Sequence, residues 1–167
     1  STEMEGRMAS RVACRVAVAA TLVVAAQLWA ARASEQSASG MAGAAEAFLA
    51  ALSGDQRQLA QFEYDASERR RWHFIPNEMF PRKGVPLRAL TPAQRDLAHG
   101  LLKAGLSHQG YSTAAAIIQL EDVLRAIETN SRFARSPLDY QVTIFGTPGP
   151  SGPRGWRVEG HHLSLHF

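Results

Sequence analysis

Tyr140-Gln141-Val142-Thr143-Ile144-Phe145-Gly146 is the stretch on which the fold turns. Tyr140, Val142 and Ile144 alternate with polar or less apolar residues, the period-two pattern of a half-buried strand. The chain then passes through residues 147–154, which hold three prolines and two glycines and suit an irregular hairpin loop. Gly155 to Phe167 reads as the second strand. Everything before residue 140 is different in kind. Thr91-Pro92-Ala93-Gln94 combines a capping threonine, proline at the first helical position and glutamine where a capping box needs it, so a helix runs from there to about Leu106 with Leu97, Leu101 and Leu102 inward. A second amphipathic helix is predicted from Thr113 to about Glu128, with Ile117, Leu120, Val123, Leu124 and Ile127 facing the core. The two helices are expected to pack as a pair. Helices first and strands last give an α+β class, with N-terminal helices followed by a C-terminal antiparallel β-hairpin.

Between the leader and these helices the pattern is shorter. Ala44 to Leu52 is helical with Phe48, Leu49 and Leu52 on one face, and Asp55 is a candidate cap for a further piece ending near Phe62. Trp72-His73-Phe74-Ile75-Pro76 follows a charged run and reads as a short buried strand stopped by its proline. Asn77 to Leu90, with Pro81, Gly84 and Pro86, is loop.

The first 33 residues look like targeting. Residues 8–15 are basic, Val16 to Ala30 is uncharged, and Ala31-Arg32-Ala33 is the small-x-small pattern cleaved by a signal peptidase. The uncharged run is shorter than the roughly 20 residues of a membrane span, so no stable span is expected once the leader is gone. Cys14 precedes the apolar run, which argues against a lipid anchor, and Arg11 and Arg15 are not adjacent, which gives no twin-arginine signal. The expected organisation is a signal peptide at 1–33, a flexible linker at 34–43 and one α+β domain at 44–167, in the periplasm or outside the cell. Of 18 basic and 15 acidic residues the leader holds four Arg and two Glu. The remaining 14 and 13 nearly cancel, so there is no electrostatic case for a nucleic-acid partner. The single cysteine lies in the leader, which leaves the mature part without disulfides, thiolate nucleophiles or cysteine-bound metals.

Three of the six histidines fall within Glu159-Gly160-His161-His162-Leu163-Ser164-Leu165-His166-Phe167. On a regular strand His161 shares a face with Glu159, about 7 Å apart. The candidate metal ligands are therefore His161, His162 and Glu159, a His/carboxylate set that suits Zn, Cu or non-haem Fe. A bulge at Gly160 would shift that phase. The opposing interpretation is a set of strand histidines bonded to backbone or solvent. His73 is a candidate third ligand or general base, with arginine holding an anionic substrate, or else a packed imidazole beside a solvated charge run. Glu121, mid-helix near the apolar stripe, is an inward carboxylate or a surface charge. Ser107-His108 lacks the spacing of a nucleophile and base, and there is no G-x-S-x-G elbow.

These segments in order are similar to an uncharacterised family, the domain of unknown function 3500 group. The residues that carry the resemblance are Arg70 to Pro76, Leu90-Thr91 with Gln94-Arg95, Leu106-Ser107 with Gly110-Tyr111, Leu120-Glu121 with Val123-Leu124, Ile144-Phe145-Gly146, and Gly155-Trp156-Arg157 through Glu159 to Leu165. The resemblance implies no reaction. It singles out Trp72, His73, Ser107, Tyr111, Glu121, Arg157, Glu159, His161 and His162. It implies asparagine where this chain has His166, and a longer domain continuing past Phe167, so that this chain is expected to be an incomplete domain.

Three function classes stay open. One is an exported metal-dependent enzyme, hydrolytic or oxidative, acting on a small molecule, with His73, Glu121 and Arg157 as catalytic candidates. Another is a non-catalytic binding or structural module whose groove is lined by Trp72, Tyr111 and Trp156. The last is a truncated fragment with no independent function.

Overall fold

The computed structural model describes residues 2–129 and 131–167, and the side chains from residue 21 onward with the exception of residue 130. Cys14, Arg11, Arg15 and the basic leader side chains lie outside the described ones. The chain divides after Ala38 into two compact units. The first is helical, and the described large apolar residues in it, Leu22, Val23, Val24, Leu28 and Trp29, are all exposed. Among the described residues no helix is long and apolar enough to cross a membrane.

The second unit, Ser39–Phe167, is α+β. Helix α1 (Thr2–Ala51) covers the segment expected to be a flexible linker. Ala42, Ala45, Phe48 and Leu49 are buried, so the helical spacing of core residues begins earlier than Ala44 and holds the backbone helical. Helix α2 (Gly54–Ala60) is capped by Ser53, with Gln56 completing a capping box; Asp55, the expected cap, sits in the first turn instead. Strand β1 (Gln61–Phe62) and strand β2 (Val85–Pro86) are two residues each. Helix α3 (Pro92–Gly105) starts at Thr91 with the expected box and ends where expected. Helix α4 (His108–Ile127) begins earlier than the pattern indicated, because the Ser107 side chain accepts from the Gly110 amide and so caps it.

Strands β3 (Gln141–Gly146), β4 (Arg154–Gly160) and β5 (Leu163–His166) form an antiparallel meander. β1 pairs with β3 in parallel and β2 pairs with it antiparallel, at successive stretches of the same strand. The predicted second strand is therefore two strands. Gly160 pairs with Leu163, leaving His161 and His162 as a two-residue turn with His162 at φ 61°, a left-handed conformation uncommon outside glycine though less so for histidine. Strand β3 is buried on both faces rather than half-buried: Val142 and Ile144 enter the apolar core, while Gln141, Thr143 and Phe145 are covered too.

Helix α4 is rotated from the expected orientation, although Ile117 packs against the core as expected. Ala114, Ile118 and Glu121 are its buried residues, whereas Leu120, Val123 and Ile127 are 51–67% exposed. Ala114 and Ile118 enter the core, and the carboxylate that comes with that face is accepted because it finds a partner. The 72–76 segment is loop, not buried strand, with Trp72 and Phe74 about half exposed.

Candidate functional site

Two groups of buried charges meet at the end of the β4–β5 hairpin. The first is built on Arg157, which is fully buried. Its Nη2 donates to Glu68 Oε1 at 2.8 Å, and its Nη1 donates to the Glu68 and Arg71 carbonyls at 2.9 Å each. Its Nε lies 2.9 Å from Glu159 Oε1, yet neither atom finds an aligned hydrogen bond, so this contact acts through charge alone. Glu159, also fully buried, accepts from the His73 amide at 3.3 Å and has Arg82 Nε at 3.7 Å. Burial pushes its carboxyl up, against the pull of Arg157, the His73 amide and Arg82.

Arg82 ties this pair to the 73–77 loop. It donates to the carbonyls of His73, Ile75 and Gly160 at 2.6, 2.7 and 3.1 Å and to the Asn77 side chain. Every carbonyl so held would otherwise be an unpaired buried acceptor. His73 serves the same loop: its Nδ1 accepts from the Phe74 and Ile75 amides at 3.0 and 3.2 Å.

The second group surrounds His161. Glu121, 3% exposed on α4, brings Oε1 to 2.5 Å from His161 Nδ1. The carboxylate accepts from Nδ1–H, which leaves the His161 Nε2 lone pair free to act as a base or ligand. Arg135 Nη1 is 3.1 Å from the same Nδ1, and because that nitrogen already donates, this is a charge held beside the ring. Arg135 is fixed by Glu128 through a fork of 2.8 and 3.0 Å, which lowers the Glu128 pKa and raises its own. Tyr140, 1% exposed, donates its hydroxyl to the His161 carbonyl at 2.6 Å, and burial raises its pKa. His162 stacks on His161 with ring centres 3.8 Å apart, and burial pushes its pKa down. A cavity of about 10 Å³, the size of one water, lies against Glu121, Arg135, Tyr140 and His161. A separate groove of about 430 Å³ between α2, β1 and the end of β3 shares no residue with it.

The expected site is thus partly assembled. Glu121 and His161 are joined. Glu159 is turned to Arg157 and Arg82 rather than to His161, because Gly160 ends the strand and the turn breaks the face they were expected to share. Among the described residues no group of three or more His, Cys, Asp and Glu is placed to hold a metal, and the His161–His162–Glu159 set is not brought together. Arg157 is fully buried, with both terminal nitrogens bonded inside the protein, and is not available to a substrate, and the His73 Nδ1 is spent on its own loop. Ser107 is a helix cap. Trp72, Tyr111 and Trp156 have separate ring neighbours, His166 at 5.3 Å, His99 at 6.1 Å and Phe167 at 4.5 Å between ring centres. Glu68, Arg82, Arg135 and Tyr140 were not anticipated. An arginine next to proline in a loop, as Arg82 is, was the one local hint.

His166 carries a pH prediction. Burial first, and the charge of Arg157 second, push its pKa down to about 4. An unfolded histidine titrates near ~6.5, so between these values the unfolded chain binds more protons, and folding stability falls as pH drops through that window. The residue is only partly covered, and solvent screening reduces the effect to about 1 kcal/mol. Urea denaturation at pH 4 to 7 is expected to show this slope and a flatter one for His166→Asn; parallel curves would place its origin elsewhere.

No curated protein and no solved structure matches the chain. Residues 34–167 match the family described as "Protein of unknown function (DUF3500)", and the chain belongs to that family.

Proposed function

We propose that this protein is an exported enzyme in which His161, oriented by Glu121, acts as a general base on a small-molecule substrate. The observation that carries this is the 2.5 Å contact between the buried Glu121 carboxylate and His161 Nδ1. Burying a carboxylate mid-helix is costly unless it is paired, and here its partner is one imidazole nitrogen whose opposite nitrogen is left for chemistry. In such a dyad Nε2 takes a proton from water or a hydroxyl while the carboxylate stabilises the imidazolium that forms. Arg135 stands beside the ring as a fixed cation. Export is supported by the leader pattern and by the family match, which begins at residue 34, next to the expected cleavage point after Ala33.

The test is release of 4-nitrophenol from ester, phosphate and glycoside substrates by the folded protein. His161→Gln and Glu121→Gln are each expected to lower turnover by about 10²-fold or more. No turnover on any of them, or turnover unchanged by His161→Gln, overturns the reading. The same free nitrogen can also ligate a metal, with Glu121 as the carboxylate behind it. Elemental analysis by mass spectrometry separates the two: stoichiometric Zn, Cu or Fe lost in His161→Gln would move the assignment to a metal-dependent enzyme.

A further inference from the structure

The loop held by Arg82 presents its aromatic side chains outward. Trp72 is 49% and Phe74 50% exposed, an arrangement with no benefit to the core. Their backbone is nevertheless among the best anchored in the fold. The His73 amide bonds Glu159, Arg82 takes the carbonyls of His73 and Ile75, and the Phe74 carbonyl accepts from the His162 amide at 2.7 Å. The segment runs beside the β4–β5 hairpin, which it meets at His162 and His166. Trp72 packs edge-on to His166 with ring centres 5.3 Å apart, and the Phe74 carbonyl meets the His162 amide in the turn. Between them lies Ser164, whose hydroxyl is 3.2 Å from His166 Nε2.

We infer that this ridge is a carbohydrate-binding surface, on which the sugar rings of a short neutral oligosaccharide stack against Trp72 and Phe74 while His162, Ser164 and His166 meet their hydroxyls. Pre-organised aromatic faces give contact area at little entropic cost. Neutral imidazoles and a serine each offer both a donor and an acceptor, which matches hydroxyls rather than ions. Of the nearby arginines, Arg69 lies over Tyr64, Arg71 lies over Phe80 and bonds the Pro81 carbonyl, and Arg82 and Arg157 are buried, while Arg70 is exposed. The inference goes beyond the catalytic proposal and does not depend on it, since binding is expected to persist in His161→Gln.

Isothermal titration calorimetry of the full chain with cellohexaose, chitohexaose, maltohexaose and mannohexaose tests it. At least one is expected to bind with millimolar or tighter affinity. Trp72→Ala and Phe74→Ala should each weaken that binding about tenfold, the worth of one stacked ring, while Trp72→Tyr retains it. Both exposed positions are removable without loss of fold, which circular dichroism checks. No heat with any sugar up to about 10 mM, affinity unchanged in the Trp72→Ala/Phe74→Ala double variant, or binding only to phosphatidylglycerol vesicles overturns the inference, the last by assigning the ridge to a lipid surface.

Discussion

Replacing Arg157 by methionine is expected to destabilise the domain by about 3–5 kcal/mol, the cost of breaking a buried ion pair by removing one partner. For a unit of this size that is a fall of roughly 10–15 °C in Tm. The side chain joins three segments that are far apart in sequence: the Glu68 side chain and carbonyl, the Arg71 carbonyl, and Glu159 on its own strand. Methionine fills much of the volume and satisfies none of these groups, so the Glu68 carboxylate and two carbonyls lose their donor and Glu159 loses a neighbouring positive charge. Lysine keeps the charge without the planar fork and is expected to recover only part of the loss. The deficit should also depend on pH. Once Arg157 is gone the Glu159 carboxyl, pushed up by burial, loses the strongest pull against that shift and binds a proton more tightly folded than unfolded, so the variant loses stability as pH rises, and the gap from the native protein is wider at pH 8 than at pH 5. Urea denaturation at both values measures this. A loss under about 1 kcal/mol would mean that the surrounding groups find water instead.

Gly160→Ala is the second large effect. The glycine has no positive φ; the space is what it supplies. A β-carbon there would lie 2.4 Å from Tyr140 Cδ1 and 2.6 Å from Cε1. Tyr140 is 1% exposed and tied by its hydroxyl to the His161 carbonyl, so the ring cannot swing clear cheaply. Overpacking costs about 1–3 kcal/mol, and the lost hydroxyl bond adds about 1 kcal/mol. Because the displaced backbone is the turn that carries His161 and His162, the Glu121 contact is expected to open as well, and turnover should fall with stability. Tyr140→Phe separates the two causes, since it removes the hydroxyl bond and leaves the ring in place. A Gly160→Ala protein as stable and active as its parent would show that the ring yields at little cost.

Local chemistry made much of this protein legible from its residues. The Thr91 capping box set the start of α3, and Leu101 and Leu102 went inward as their spacing required. The Pro/Gly loop between β3 and β4 and the order of helices before strands also followed from composition and period. These are interactions within a few residues, and the types and spacings along the chain state them directly.

Glu121 was visible as a carboxylate close to an apolar stripe, but the stripe itself was ambiguous. Helix α4 has two apolar faces, and the larger residues, Leu120, Val123 and Ile127, pointed to the wrong one. Periodicity ranks faces by hydrophobicity, whereas the fold chose the face on which Ala114 and Ile118 enter the core and the Glu121 carboxylate meets His161. The reading of Glu159 with His161 failed for a related reason. His161 itself belongs to the two-residue turn after Gly160, which broke the alternation on which that reading rested. The pairing of Arg157 with Glu68 and of Arg82 with the loop carbonyls has no sequence signature, because each joins residues more than 75 apart or depends on a loop path that no repeat encodes. The sequence determined the helix ends, the strand-rich C-terminus and the residue types available for chemistry, because short-range bonding and side-chain periodicity act along the chain. Tertiary structure alone decided which carboxylate meets which histidine and which arginines are consumed inside, because burying a charge is tolerated only where a partner from another segment arrives to meet it.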